Sequence, residues 1–340
     1  MLQLDKSKVD FLVTSSMVGE VESFLESGKA KVQEIVKQLI ARQIDTFYFV
    51  GCGSSMAVGD AAKYLLDKYS TLNAHVYTGW EFVDHTPLRV NEKSAVIVIS
   101  HSGTTEEVVK ALRIANERGA ATISIVNERE GNPLGAEGQF VLDYNAHAMW
   151  ECHLLAVYFL ACFFIQETQP SAEVEKILAD IPKLPAVLGY HIEHYEETAR
   201  KLAEQTTAWK GFYTVAAGPL VPLAYKEGVI TNMEFMWGHG AVIESGEFRH
   251  GPLEITEAGV PFVFLLGTDA SRHITERALN FVRKYKGETI VFDYQELAQG
   301  LHPDLAPMVM FVPLEWFSYY FAVVHDHNPD NRRYYGVVAY

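Results

Sequence analysis

Cysteine is scarce, basic charge is in deficit, and no apolar run is long enough to span a bilayer. The cysteines are Cys52, Cys152 and Cys162, an odd and scattered set without a CxxC pair. Neither a disulfide framework nor a zinc site is expected from them, and a reducing, cytoplasmic setting is. Lys and Arg number 28 against 43 Asp and Glu, a net charge of −15. That field argues against a nucleic-acid groove or a basic membrane-binding surface. The most apolar stretch, LLAVYFLACFFI at 154–165, has 12 residues and follows Glu151 and His153. A membrane span needs about 20, so this reads as a buried helix, in part at a subunit interface. The opening MLQLDKSKVDFLV carries early acids and no apolar core, so it does not read as a signal peptide. What is present is ordinary globular composition: 340 residues, 49% hydrophobic, 21% charged, Gly 24 and Pro 13. Disorder and collagen are excluded, and there is room for two domains of about 150 residues.

After a helical arm (Val18–Arg42), short β-rich runs appear at Thr46–Val50, Ala95–Ile99 and Thr122–Val126. They are nearly continuous in apolar residues, as strands covered on both faces are. Turns follow each, and helical patterns follow the first two, which is βαβ alternation. Helix-forming sequence then covers about Trp150–Thr206. From Gly211 the alternation restarts. Strands are expected at Phe212–Ala216, Pro261–Leu266, Thr289–Tyr294 and Met308–Val312, and helices at Pro222–Met236, Arg272–Lys284 and Leu314–His325. FYFVGCGS at 47–54 and FYTVAAGP at 212–219 echo each other in register. The expected fold class is α/β: two doubly wound parallel-sheet lobes of flavodoxin-like type. The expected division is an arm over 1–30, lobes over 31–169 and 170–326, and a tail over 327–340.

Two loops of one kind stand in the first lobe. Gly51-Cys52-Gly53-Ser54-Ser55 and Ser100-His101-Ser102-Gly103-Thr104-Thr105 each follow an apolar strand and open a helix. Ligands of open α/β sheets sit at the carboxyl ends of strands, where helix N-terminal amides favour an anion. Ser54, Ser55, Ser100, Ser102 and Thr105 add hydroxyl donors. Neither loop holds Lys or Arg, so one small phosphate fits better than a triphosphate. Set against this, Thr104 with Glu107 makes a capping box, and a hydroxyl at a helix start is often only a cap. A dinucleotide site is the weaker rival, since the third glycine position of GxGxxG holds Met56.

On the helix over 222–236, Glu227, Thr231 and Glu234 are spaced i, i+4, i+7 and share one α-helical face, flanked by Val229, Ile230, Met233 and Phe235. Carboxylates on a buried helix are poised as bases unless paired. The stripe reads equally as a solvated face or a structural ion pair. His250 lies in GEFRHGP between an arginine and a Gly-Pro turn, a constrained place for an acid/base group, although a lone histidine is often structural. His239 of GHG is placed for the same pocket, while His325 and His327 lack a third ligand at metal spacing.

Together these segments resemble the SIS (sugar isomerase) family, the fold of the isomerase half of glucosamine-6-phosphate synthase. GCGSS resembles its first phosphate loop, SHSGTTEE its second, and Glu227–Glu234 followed by GEFRHGP its catalytic segment. The resemblance runs from about residue 30 to the end. It implies that Ser55, Ser100, Ser102 and Thr105 hold the phosphate, that Glu234 shuttles a proton between C1 and C2, and that His250 assists ring opening, supplied by a neighbouring subunit of a homodimer or larger assembly. VAAGPL, YKEG, ESGEFRHGPLEI, QGLHP and DHNPDNRRYYG resemble one branch, the bacterial fructoselysine-6-phosphate deglycases. The synthase's active-site lysines fall on Thr231 and Gly336 here, with Arg332, Arg333 and Tyr335 as tail candidates to replace the second. With the chain starting Met1-Leu2 and no glutaminase domain, ammonia transfer from glutamine is not expected.

The resemblance therefore implies conversion of a 6-phosphorylated Amadori compound to glucose 6-phosphate and a free amine such as lysine. Glu227 would tune Glu234 or meet the amine. One mobile proton and no redox step call for neither metal nor cofactor, and the partner is a small phosphosugar. The alternatives are a glucoselysine-6-phosphate deglycase, another ketose/aldose phosphosugar isomerase or amino-sugar deaminase, and a non-catalytic sugar-phosphate sensor. The absence of a helix-turn-helix extension counts against the last.

Overall fold

A computed structural model describes residues 2–339. They form two units, Ser16–Pro185 and the described part of Met1–Ser15 with Ala186–Tyr340. The division falls after the Gln169–Pro170 position expected from the sequence. Among the described residues, each unit holds one all-parallel sheet.

In the first unit β1 (Thr46–Gly51), β2 (Asn73–Thr78), β3 (Ser94–Ile99), β4 (Ala121–Val126) and β5 (Phe140–Asp143) lie in the order β2-β1-β3-β4-β5. This is the flavodoxin-type doubly wound order, with its switch point between β1 and β3. Every residue of β1, β3 and β4 is buried, which is why those three runs are continuously apolar. The edge strands β2 and β5 are only partly buried, carry mixed sequence, and escape a search for apolar runs. Val96, Val98, Leu112 and Val126 belong to one core cluster on this sheet.

The apolar stretch near residue 154 lies in a helix that is longer than its apolar core suggested. Met149–Thr168 has 20 residues and a mean hydropathy of 1.5, long and apolar enough by composition to cross a membrane, yet 83% of its apolar window is buried in the protein. The length argument for excluding a span is thus corrected, while the burial expected of this helix holds. Its Glu151 and His153 are fully buried, and it packs on the helix Ser54–Tyr69. The helices Ala172–Asp180, Leu184–His194 and Glu196–Glu204 continue the helical stretch.

In the second unit β6 (Tyr213–Ala216), β7 (Ala241–Glu244), β8 (Pro261–Leu266) and β9 (Glu288–Asp293) run β7-β6-β8-β9. This repeats the first four positions of the other sheet. The echoing segments at 47–54 and 212–219 are β1 and β6, which hold the same place in both. A strand at Met308–Val312 does not exist. That segment spans two helices, Ala306–Val309, with Pro307 in its first turn, and Phe311–Val324. An apolar run buried on all sides fits a core helix as well as a core strand, and Pro307 sits in the opening turn of the first helix, where its missing N–H is tolerated.

The helix expected at Pro222–Met236 is also different in kind. A short α-helix, Val221–Tyr225, passes into a π-helix over Lys226–Phe235, with Met236 N donating to Thr231 O five residues back at 3.2 Å. Such wide turns are rare and concentrate at functional sites.

Candidate active site

The two small-residue loops leave β1 and β3, the strands that flank the switch point of the first sheet. Gly53 has φ 59° and precedes the helix Ser54–Tyr69, and no side chain caps that helix. Among the described residues, neither the Ser54 nor the Ser55 hydroxyl has a hydrogen-bond partner, and Ser55 is buried. In the second loop Gly103 has φ +66°, and a Cβ there would stand 2.0 Å from Asn132 Oδ1, so glycine is required twice over.

The capping box expected between Thr104 and Glu107 is not formed. The helix begins at Glu106, its N-cap is Thr105, and no side chain caps it. The hydroxyls bond to one another instead: Ser100 Oγ lies 2.9 Å from Thr105 Oγ1 and 3.4 Å from Ser102 Oγ. Ser102 Oγ accepts from Thr104 N at 3.3 Å and Thr104 Oγ1 at 3.0 Å. Both helix N-termini are therefore left with first-turn amides that no side chain satisfies, facing a cluster of hydroxyls. That combination suits an anion.

Cys52 ties the loops together, its Sγ donating to Glu107 Oε1 at 3.3 Å. Burial, followed by the hydrogen bond and charge of Glu107, pushes its thiol up to about 11. It is a structural thiol rather than a nucleophile at neutral pH. His101, on the same loop, has Nδ1 2.6 Å from Tyr144 Oη, and burial with the nearby His147 holds its imidazole below its usual range. Motif spacing did not single out this pair, because Tyr144 lies just past β5, a strand the sequence did not show.

In the second unit the π-helix separates the carboxylates that an α-helix would have aligned. An i→i+5 ladder winds more than 3.6 residues per turn, so a seven-residue spacing no longer returns to one face. Glu227 is buried, accepting from Lys226 Nζ at 2.6 Å and Ser318 Oγ at 3.3 Å. Thr231 is also buried, and among the described residues its Oγ1 has no partner. Glu234 alone of the three reaches partly into solvent, where Arg332 Nε donates to its Oε1 at 3.2 Å.

Glu234 forms one wall of a cavity of about 430 Å³, with Trp237, His239, Arg332, Arg333 and Tyr334 among its other walls. His239 and Glu234 line the same cavity. Trp237 has φ 55°, a strained value for a bulky residue. It ends the π segment and lays its indole 3.9 Å from the His327 ring, whose Nε2 donates to Phe235 O at 2.9 Å. The guanidinium of Arg332 stacks 3.9 Å over Phe235 and that of Arg333 4.1 Å over Trp237. These contacts fix the C-terminal tail against the Glu234 segment.

His250 lies in the turn after β7, exposed, on a loop anchored by buried Phe248. It does not line the Glu234 cavity. Among the described residues, no group of three or more His, Cys, Asp or Glu is placed to hold a metal ion.

Two doubly wound parallel-sheet units, the first with hydroxyl-rich loops at its switch point, define an α/β class of protein with a candidate anion site. The SIS domain model matches residues 40–160, and the chain belongs to the SIS family. It is 52% identical over 336 residues to the fructoselysine 6-phosphate deglycase of Escherichia coli strain K12, covering 99% of this chain and 98% of that one. It is also 32% identical to a fructosamine deglycase of Bacillus subtilis strain 168, over 91% of this chain and 97% of that one. Among solved structures, the C-terminal domain of glucosamine-fructose-6-phosphate aminotransferase from Francisella tularensis superimposes with a TM-score of 0.83 over 96% of this chain and all of that one. At 19% identity it speaks for the fold alone.

Proposed function

We propose that this protein is a cytoplasmic phosphosugar deglycase, which converts a ketosamine 6-phosphate of the fructoselysine type to glucose 6-phosphate and the free amine. The observation that carries this reading is the 52% identity to a fructoselysine 6-phosphate deglycase along essentially the whole of both chains. The hydroxyls of Ser54, Ser55, Ser100, Ser102 and Thr105, with the uncapped helix amides, receive the phosphate. Held far from the reacting carbons, the phosphate contributes orientation and binding energy.

His250 assists opening of the sugar ring and is supplied by a neighbouring subunit of a homo-oligomer. Its exposure, and its absence from the walls of the Glu234 cavity, support that assignment. Glu234 takes a proton from C1, leaving an enaminol, and returns it at C2, leaving an aldose imine. Water adds to the imine carbon and the C–N bond breaks, releasing the amine and the aldehyde of glucose 6-phosphate. Only protons and water are exchanged, so the residues needed are one base, one ring-opening acid/base and a phosphate cradle. Glu227, buried and ion-paired with Lys226, acts on the position of the π segment rather than on the substrate.

A coupled assay on fructoselysine 6-phosphate tests this, following glucose 6-phosphate and lysine together. Equal appearance of both is expected. Release of neither from that substrate would overturn the reading. Light scattering at assay concentration tests the assembly: a monomer would remove His250 from the proposed role.

A further inference from the structure

The two tail arginines use their donors differently. Arg332 spends its guanidinium locally: Nε on Glu234, and Nη1 on Pro329 O at 2.7 Å and Asn331 O at 3.2 Å. Arg333 is exposed and stacks on Trp237, and among the described residues no carboxylate or carbonyl takes its N–H groups. Its side chain is shared by the cavity that Glu234 lines and by an adjoining one of about 290 Å³. A planar fork of free donors, held over an indole and beside the proposed base, matches a carboxylate.

The covalent structure of the substrate says which carboxylate. This step rests on the deglycase reading. Glu234 works at C1, and the amine hangs from C1, whereas the phosphate is on C6 at the far end of the carbon chain. The space beyond C1 next to Glu234 therefore takes the amine's substituent. In a lysine adduct that substituent is an apolar methylene stem ending in an α-carbon that bears both a carboxylate and an ammonium, of which only the carboxylate can accept from a guanidinium. Trp237 and Tyr334 offer aromatic surface for the stem, and Arg333 lines the same cavity.

We propose that Arg333 is the specificity-determining residue for the leaving amine, pairing with the α-carboxylate of an amino-acid substituent. The pair would be a charge-assisted bidentate contact, of a kind that discriminates about 10- to 100-fold when it forms at a partly screened site.

The test compares two substrates on the full-length protein, fructoselysine 6-phosphate and the corresponding adduct of 1,5-diaminopentane, which lacks the carboxylate. Wild type is expected to favour the lysine adduct in kcat/KM by at least about tenfold. In Arg333→Met that ratio should collapse towards one, mainly through KM, and in Arg333→Lys it should be intermediate, because the charge remains and the fork does not. The melting temperature should fall only slightly in Arg333→Met, since the stack on Trp237 is exposed. A wild-type ratio near one, or a ratio preserved in Arg333→Met, would overturn the proposal. So would an equal loss on both substrates, which is the signature of a phosphate contact or of a merely structural tail. Turnover of either substrate by wild type keeps the deglycase reading whatever the ratio, and turnover of neither would remove both readings together.

Discussion

Arg332 Nε donates to Glu234 Oε1 at 3.2 Å while the same guanidinium stacks over Phe235. One side chain from the tail thus holds both the carboxylate assigned to proton transfer and the ring next to it. The tail in turn is tied down by Asp330, whose carboxylate accepts from Asp10 N at 3.1 Å and Phe11 N at 2.8 Å. The geometry of Glu234 therefore depends on residues almost a hundred positions further along the chain.

Glu234→Gln keeps the shape and an oxygen that can accept from Arg332, and it removes the base. General-base catalysis is typically worth about 10²- to 10⁴-fold. The expected result is a fall of that size in kcat with KM little changed, measured on fructoselysine 6-phosphate. A glutamine variant of near-normal kcat would take Glu234 out of the chemistry.

Ser100→Ala removes the hydroxyl that links Thr105 and Ser102. A hydrogen bond to a charged group contributes about 1.5–3 kcal/mol, so KM should rise roughly 10- to 100-fold with a smaller effect on kcat. Inorganic phosphate should raise the melting temperature of the wild type and do so less in the variant. Equal protection of both would mean that the loop does not bind phosphate.

His153 is fully buried, meets Tyr144 edge-on at 5.0 Å, and among the described residues has no hydrogen-bond partner on either ring nitrogen. Burial, with a smaller contribution from His101, pushes its pKa from 6.5 down to about 3. The unfolded chain takes up this proton first as pH falls. Stability is therefore full above about pH 6.5 and is lost progressively towards pH 3, with a slope approaching about 1.4 kcal/mol per pH unit. His153→Phe should flatten the melting curve's pH dependence between pH 6.5 and 5. An unchanged slope would assign acid lability elsewhere.

Glu315 has the opposite sign. It is buried, with Oε1 accepting from Val13 N at 3.2 Å and, among the described residues, no partner on Oε2. Burial outweighs the attraction of Lys226 and raises its pKa from 4.5 to about 8. The folded state keeps a proton that the unfolded chain releases, so this contribution is full below pH 4.5 and lost as pH rises towards 8. Glu315→Gln keeps the bond to Val13 and should remove that slope, seen as a flatter melting temperature from pH 5 to 8. A steeper decline in the variant would refute the assignment.

How much was legible in advance follows from where each residue's environment is set. The runs that became β1, β3, β4 and β8 were found because strands buried on both faces must be apolar throughout. The hydroxyl loops after β1 and β3 were found because a tight turn needs glycine and a helix start favours hydroxyl residues, and both are local demands. The edge strands β2, β5 and β7 were missed because their mixed sequences form no apolar run, whereas the edge strand β9 keeps TIVF and was found. Met308–Val312 was misassigned because apolarity without period does not separate a core helix from a core strand.

The sequence by itself determined the α/β alternation, the two small-residue loops and the family they resemble, and it nominated Glu234 and His250. Only tertiary structure decided that Lys226–Phe235 winds as a π-helix, burying Glu227 and leaving Glu234 at a cavity wall. It also decided which tail arginine is consumed by Glu234 and which keeps a free fork over Trp237. Helix and strand periods are written in neighbours a few residues apart, whereas an ion pair between positions 234 and 332 is written only in the packing that brings them together.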